Sequence, residues 1–256
     1  MILAATFAVG GLAVQPAPAV AAGKKVVIVV GPAGSSTANY IYNAKKLAAQ
    51  ARSYGATIYE VYSPYATWSK VKSVAQGANI FIYLGHGNGH PSPYGAFSKY
   101  TKDGLGLNST AGSTRHTYYG EYYIYTGIKF APNAVVILNR LCYASGNSEW
   151  GRGYPTKSVA IQRVDNYGAG FLRANARAVF AEAINSVSYV LYGLFRTSRS
   201  MSQIFWSDPV ADGRYDFTFA SARTAGKRAI MDPLGAGRYY RSVIGDLGMT
   251  AATWRS

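Results

Sequence analysis

The chain has 256 residues, 49% hydrophobic and 14% charged, which excludes a generally disordered protein and allows one large hydrophobic core. Lysine and arginine total 26 against 11 acidic residues, giving a formal net charge of +15. Such an excess favours anionic partners, such as cell-envelope polymers, lipid headgroups or acidic proteins. The basic residues are scattered in runs no longer than two, so a dedicated nucleic-acid surface is not indicated.

Residues 1–22 have the pattern of a secretory signal peptide. An apolar segment from Ile2 to Val14 precedes two prolines and the small residues Ala19-Val20-Ala21, which a signal peptidase would accept. The positively charged leading region of such signals is missing. A membrane span is the weaker alternative, because the apolar run is short and the prolines interrupt it. We therefore expect a secreted or envelope-associated protein with no transmembrane segment after signal removal and one domain over 23–256.

Buried strands alternate with helices after the signal. The predicted strands are Lys25–Val30, Thr57–Tyr62, Asn79–Leu84, Ala134–Leu138 and Ala178–Ala181, and the predicted helices are Ala38–Ser53, Thr67–Ala75, Ser158–Asn175 and Val187–Phe195. This order favours right-handed crossovers and parallel strand pairing. The expected fold is α/β, a three-layer sandwich whose central sheet is mainly parallel and flanked by helices.

The alternation lapses over residues 91–126, a segment rich in Gly, Ser, Thr and Tyr. It is too long for an ordinary connection, and we expect it to be an insertion partly ordered as hairpins. It is either a substrate-binding or gating loop or a surface excursion, and the sequence alone leaves both open. Beyond Ser200 the chain is predicted to be rich in loops, with short strand-like pieces such as Asp216–Phe219.

Two chemically reactive side chains follow predicted buried strands. Cys142 is the only cysteine and comes just after Ala134–Leu138, whereas His86 lies between Gly85 and Gly87 after Asn79–Leu84. If the two strands are parallel neighbours, their carboxyl ends share the edge at which α/β sheets bind ligands. We therefore interpret His86 as a general base and Cys142 as a nucleophile for acyl transfer.

The backbone N–H groups of Gly87 and Cys142 are the candidates for holding a developing oxyanion. His90 is a competing base, but it lies further from the strand and next to Pro91, so His86 is preferred. A lone cysteine is also commonly a buried structural residue, which is the alternative interpretation of Cys142.

Other catalytic classes find less support in the motifs. His86 and His90 are spaced so that they could chelate a metal, but the HExxH pattern is absent and no carboxylate lies near them in sequence. No GxSxG motif is present for a serine nucleophile. We expect neither a metal nor a cofactor.

The segments FIYLGHGNG and VVILNRLCYASG, each a strand that ends in the reactive residue, resemble the caspase-like cysteine peptidases, a clan that includes caspases, gingipains, clostripain and CHAT-type bacterial enzymes. The later stretch VDNYGAGFLRANARAVFAEA resembles the helix–strand unit that follows the cysteine in bacterial members. The resemblance covers about residues 25–195. It implies a Cys–His dyad that cleaves a peptide or protein substrate, with His86 at the position of the family's histidine and Cys142 at that of its nucleophile.

The substrate pocket is less well defined by this resemblance. Metacaspase-like members have an acidic residue two positions before the cysteine, where this chain has Arg140. Arg140 could bind a substrate carboxylate, turn outward, or pair with Glu149 or Asp165; those two acids could instead form a pocket for a basic residue. The alternative to a peptidase is a non-catalytic module of the same fold that binds anionic envelope polymers or partner proteins.

Overall fold

The computed structural model describes residues 23–256, and the predicted signal peptide, residues 1–22, lies outside them. The strands are β1 (Lys25–Val30), β2 (Thr57–Tyr62), β3 (Ile80–Leu84), β4 (Leu105–Asn108), β5 (His116–Tyr119), β6 (Ala134–Asn139), β7 (Ala176–Glu182), β8 (Phe217–Ala220), β9 (Arg228–Met231) and β10 (Arg241–Gly245). The helices are α1 (Thr37–Ser53), α2 (Trp68–Ala75), α3 (Glu121–Gly127), α4 (Lys157–Arg173), α5 (Ser188–Arg196), α6 (Met201–Phe205) and α7 (Ala251–Arg255).

Eight of these strands form one sheet in the order β2-β1-β3-β6-β7-β10-β9-β8. The first five strands in that order run parallel, whereas β10, β9 and β8 are antiparallel to their neighbours. The expected α/β fold with a mainly parallel central sheet flanked by helices is confirmed. The sequence did not predict β9 or β10, which extend the sheet beyond β7.

The two faces of the sheet carry separate hydrophobic clusters. On one face, Val26, Ile28 and Val30 of β1 pack in a cluster with residues of α1, α5, α6 and α7. On the other face, Val27 and Val29 belong to a cluster with residues of α2, α3 and α4. Successive side chains of a strand point to opposite faces, so burial on both sides explains why β1 is continuously apolar.

The insertion at residues 91–126 contains the expected hairpin. Strands β4 and β5 pair antiparallel as a separate two-stranded sheet, and α3 begins near the end of the segment. The hairpin is tied to the central sheet by Tyr83 of β3, whose hydroxyl accepts a hydrogen bond from the N–H of Gly106 at 3.0 Å. None of the helices over residues 23–256 is both long enough and apolar enough to cross a bilayer.

Candidate active site

Strands β3 and β6 are parallel neighbours, with Leu84 opposite Asn139 at their carboxyl ends. The loops that follow leave the same edge of the sheet, and they bring His86 and Cys142 to one cavity of about 500 Å³. Its lining residues are His86, Gly87, Asn88, Tyr94, Tyr118, Cys142 and Glu149. The arrangement of the two strands that the sequence analysis required is therefore present, and both proposed catalytic side chains line a common space.

The two loops touch at their backbones. A β-carbon on Gly87 would lie only 2.1 Å from the carbonyl oxygen of Cys142, so only glycine allows this approach. Among the described residues, neither the N–H of Gly87 nor that of Cys142 has a hydrogen-bond acceptor. Two backbone donors next to the thiol are thus available to an incoming oxygen.

The loop that carries His86 is held by the side chain of Tyr83. The Tyr83 hydroxyl is 2.8 Å from the carbonyl oxygen of Gly106 and 3.1 Å from that of His86, so its proton can be donated to either. The imidazole ring packs against His116 of β5, with ring centroids 4.9 Å apart. The insertion therefore forms one wall around the candidate base.

Burial lowers the pKa of His86, the neighbouring His116 lowers it further, and the charge of Glu149 acts in the opposite direction. The imidazole is therefore uncharged near neutral pH and able to accept a proton.

The thiol is also uncharged. Burial is the main reason that the pKa of Cys142 rises to about 11; the negative charge of Glu149 raises it too, while the backbone N–H of Trp150 opposes the rise. The resting site holds a neutral thiol and a neutral imidazole, and not a thiolate–imidazolium pair.

Glu149 lines this cavity and also a second one of about 570 Å³, which Cys142 lines as well. Its carboxylate accepts a hydrogen bond from the Tyr94 hydroxyl at 2.6 Å and lies 3.9 Å from the Arg152 guanidinium. The second cavity is lined by Tyr40, Arg140, Leu141, Cys142, Asn147, Ser148, Glu149, Trp150, Gly151, Arg152, Tyr154, Ala183, Ile184, Gly237 and Tyr240. Glu149 is therefore the carboxylate that the two cavities share.

Arg140 lines the second cavity and adopts a left-handed backbone conformation with φ of 63°. Its N–H donates to the carbonyl oxygen of Glu182 at 2.7 Å. Within residues 23–256 its guanidinium pairs with neither Glu149 nor Asp165, and its Nε is buried without an acceptor. The cation near the thiol is thus left available to a ligand.

Asp165 lies away from both cavities that Cys142 lines. Its carboxylate, on α4, accepts hydrogen bonds from the Ser221 hydroxyl and from the N–H groups of Ala222 (2.8 Å) and Arg223 (3.3 Å). It anchors the loop after β8, so the structure does not bring it together with Glu149 as one pocket. The sequence suggested a shared pocket because it could not reveal these distant N–H partners.

His90 is likewise outside the cavity that holds Cys142. Its N–H donates to Asp103 at 3.0 Å and its carbonyl oxygen accepts from Asn166 at 2.8 Å, which makes the backbone around it part of the scaffold. Over the described part of the chain, no group of three or more His, Cys, Asp or Glu side chains is placed to hold a metal ion.

Several aromatic residues at the site were not identified from the sequence, among them Tyr94, Tyr118 and Trp150. Tyr94 and Tyr118 come from the insertion and line the cavity with His86. Trp150, 94% exposed, lines the second cavity. The Tyr-rich composition of the insertion was the available signal for the first two, and the position of Trp150 eight residues after Cys142 was the signal for the third.

Comparisons of the chain with protein-family models, with curated proteins and with solved structures find no match.

Proposed function

We propose that this protein is an exported cysteine endopeptidase that uses Cys142 as nucleophile and His86 as general base. The observation that carries the proposal is the shared cavity at the carboxyl ends of β3 and β6, into which the parallel pairing of the strands brings both residues. The resemblance of these two strand-ends to caspase-like peptidases favours the same reaction class. Export rests on the signal-like sequence at residues 1–22.

The first step follows from the neutral state of both groups. His86 removes the thiol proton as the sulfur attacks the substrate carbonyl carbon, so the thiolate forms only as the carbon–sulfur bond forms. The carbonyl oxygen becomes an oxyanion, for which the N–H groups of Gly87 and Cys142 are the donors. Burial that raises the thiol pKa suits this order of events, because a free thiolate is not needed at rest.

Collapse of the tetrahedral intermediate breaks the carbon–nitrogen bond. The imidazolium of His86 gives its proton to the departing amine, leaving an acyl group on the sulfur. A water molecule, deprotonated by the same imidazole, then attacks the thioester carbonyl, and the sulfur leaves with the proton from His86. The chain returns to its starting state with one peptide bond hydrolysed.

The two cavities that Cys142 lines are suited to the two sides of a bound peptide. The one with Arg140 offers a guanidinium that no carboxylate of the described residues pairs, which fits a substrate carboxylate, and exposed aromatic surface from Trp150 and Tyr154. The one with His86 offers Glu149 and two tyrosines. We expect the peptide to lie along the carboxyl-end edge of the sheet, with the side chain next to the scissile bond in one of these two cavities.

The test is digestion of a mixed peptide library by the chain without residues 1–22, read by mass spectrometry. Cys142→Ala should abolish cleavage and keep the melting temperature, and His86→Gln should reduce the rate by about 10²–10⁴-fold, the usual contribution of a general base. Cleavage that persists in Cys142→Ala would exclude the assignment.

A second function, a non-catalytic module that binds anionic envelope polymers, is favoured by the formal net charge of +15. The raised pKa of Cys142 is equally compatible with a structural thiol. If no peptide in the library is cut, while the chain binds anionic polymer with a strong salt dependence, this second function is the better description.

A further inference from the structure

A small polar cavity of about 220 Å³ lies next to the candidate active site. It is lined by Asn43, Lys46, Leu47, Gln50, Asn139, Arg140, Ser186 and Ser188. Three parts of the chain meet there: one face of α1, the end of β6, and the segment that leads into α5. Its volume is below the roughly 300–1,000 Å³ of sites for drug-sized molecules, so it suits a single small group.

The charged side chains that line this cavity are all positive. Lys46 and Arg140 contribute two positive charges, and no carboxylate from the described part of the chain lines the cavity. Across residues 23–256, neither of the two forms an ion pair with an acidic residue. The amide N–H groups that line the cavity, those of Asn43, Gln50 and Asn139, already donate to protein oxygens. The uncharged donors left to a ligand are therefore the hydroxyls of the two lining serines.

The guanidinium of Arg140 lacks one hydrogen-bond acceptor from the described residues at this position. Its Nε is buried and has no acceptor among residues 23–256, which is costly for a charged donor. Its left-handed backbone, with φ of 63°, is also unfavourable for a residue with a β-carbon. A hydrogen bond from its N–H to Glu182 at 2.7 Å nevertheless holds it there. An anionic ligand that accepts from the guanidinium would supply the missing acceptor.

The segment that leads into α5 provides further donors. The helix begins at Ser188, whose N–H donates to the Ser186 hydroxyl at 3.3 Å, and the residue before the helix, Val187, makes no side-chain hydrogen bond to its first turn among the described residues. The hydroxyl protons of both serines are not committed to any protein acceptor among the described residues. The positive end of the helix therefore adds to the field of the two cations.

We propose that this cavity is an oxyanion-binding site, which takes a phosphate group through Lys46 and Arg140. The group is either free inorganic phosphate or a phosphodiester carried by an anionic envelope polymer, since both present the same oxygens to the two cations. The site is distinct from the cavity that holds both His86 and Cys142, although it shares Arg140 with the second cavity that Cys142 lines, and its occupation does not require peptide cleavage.

The test is isothermal titration of the chain without residues 1–22 with inorganic phosphate, against sodium chloride of equal ionic strength. Saturable one-site binding is expected. Lys46→Gln should weaken it at least about tenfold, because a charge-assisted hydrogen bond is lost. Lys45→Gln is the matched control, since Lys45 is the neighbouring exposed lysine of α1, does not line the cavity, and its loss changes the net charge equally.

Arg140→Gln should weaken binding by a similar factor, and Cys142→Ala should leave it unchanged, which separates this site from the peptidase proposal. Absence of saturable binding would overturn the proposal, and so would equal weakening by Lys46→Gln and Lys45→Gln. Loss of binding in Arg140→Gln alone would also overturn it, because phosphate would then lie in the larger cavity. Competition by a glycerol-phosphate oligomer would assign the site to the polymer, and its absence to free phosphate.

Discussion

The neutral state of Cys142 makes a quantitative prediction for alkylation of the folded chain. The thiol has a pKa of about 11, against an ordinary value of 9.0, so near pH 7 it holds about 100-fold less thiolate than an unfolded chain. A thiolate of higher pKa is intrinsically more nucleophilic, with a Brønsted coefficient of about 0.4–0.5, which recovers about eightfold. The net expectation is labelling about tenfold slower than for an unstructured cysteine.

The assay is the rate of iodoacetamide labelling between pH 6 and 9, read by mass spectrometry. The reference is a short unstructured peptide with the sequence LCYA, taken from residues 141–144. The rate in the protein should rise about tenfold for each pH unit throughout this range, because the pKa lies above it.

Glu149→Gln tests the electrostatic part of the same reasoning. The substitution removes a negative charge that raises the pKa of Cys142, so labelling at pH 8 should become faster. Glu60→Gln is the control, because Glu60 is a carboxylate of β2 that lines neither cavity next to Cys142. A labelling rate that stays constant from pH 6 to 8 would refute the neutral-thiol argument, since it would mean that the thiolate is already formed at rest.

The remaining predictions concern the scaffold. Gly87→Ala should reduce peptide cleavage strongly, because the new methyl group would clash with the Cys142 carbonyl oxygen. The control is Gly153→Ala, which should leave cleavage unchanged because the described residues leave open space around Gly153. Equal activities of the two variants would contradict this reasoning. Tyr83→Phe should lower the free energy of unfolding by about 1–3 kcal/mol, because the buried N–H and carbonyl oxygen of Gly106 lose their hydrogen-bond partner. An unchanged midpoint of urea unfolding would show that the Tyr83 hydroxyl does not stabilise the hairpin. Burial raises the pKa of Asp103 to about 8, so its contribution to stability is fully present below pH 4 and is lost as the pH rises towards 8. The unfolding free energy should therefore fall across this range, and Asp103→Asn should remove that pH dependence.

Much of the sheet could be predicted because burial on both faces leaves a clear pattern. Strands β1, β3 and β6 are continuous apolar runs, and the glycines and polar residues that follow them mark the edge. The prediction that His86 and Cys142 share one edge of the sheet required only that β3 and β6 be parallel neighbours, which is a property of the fold class and not of any distant contact.

The antiparallel part of the sheet gave a weaker signal. Strands β9 and β10 have only four and five residues, and each begins with an arginine. Arg241 is nevertheless buried, because three carboxylates surround it, from Glu182, Asp208 and Asp232. These partners lie 9 to 59 residues away along the chain, and such a buried ionic cluster cannot be inferred from the local residue pattern.

The roles of Arg140 and Asp165 also depended on contacts between residues that are distant in the sequence. Both were equally plausible pocket residues in the sequence, yet Asp165 is bound by a loop 56 residues later, whereas Arg140 has no acidic partner in the described part of the chain. Which charged side chain is left unpaired depends on the tertiary structure as a whole.

The backbone after β6 links these observations. Arg140 and Tyr143 both have positive φ, 63° and 72°, and Gly146 follows with 97°. Each of the first two costs of order 1–3 kcal/mol, and such strain persists only where surrounding contacts hold it. Here they do, since Glu182 binds the N–H of Arg140, and Tyr143 is 1% exposed beneath the guanidinium of Arg163. A regular backbone at this edge would relieve the strain but would move Cys142 relative to Gly87, whose close approach leaves no room for adjustment. The backbone strain at Arg140 and Tyr143 is therefore best explained by the need to hold the thiol and backbone N–H of Cys142, together with the Arg140 guanidinium, at one edge of the sheet.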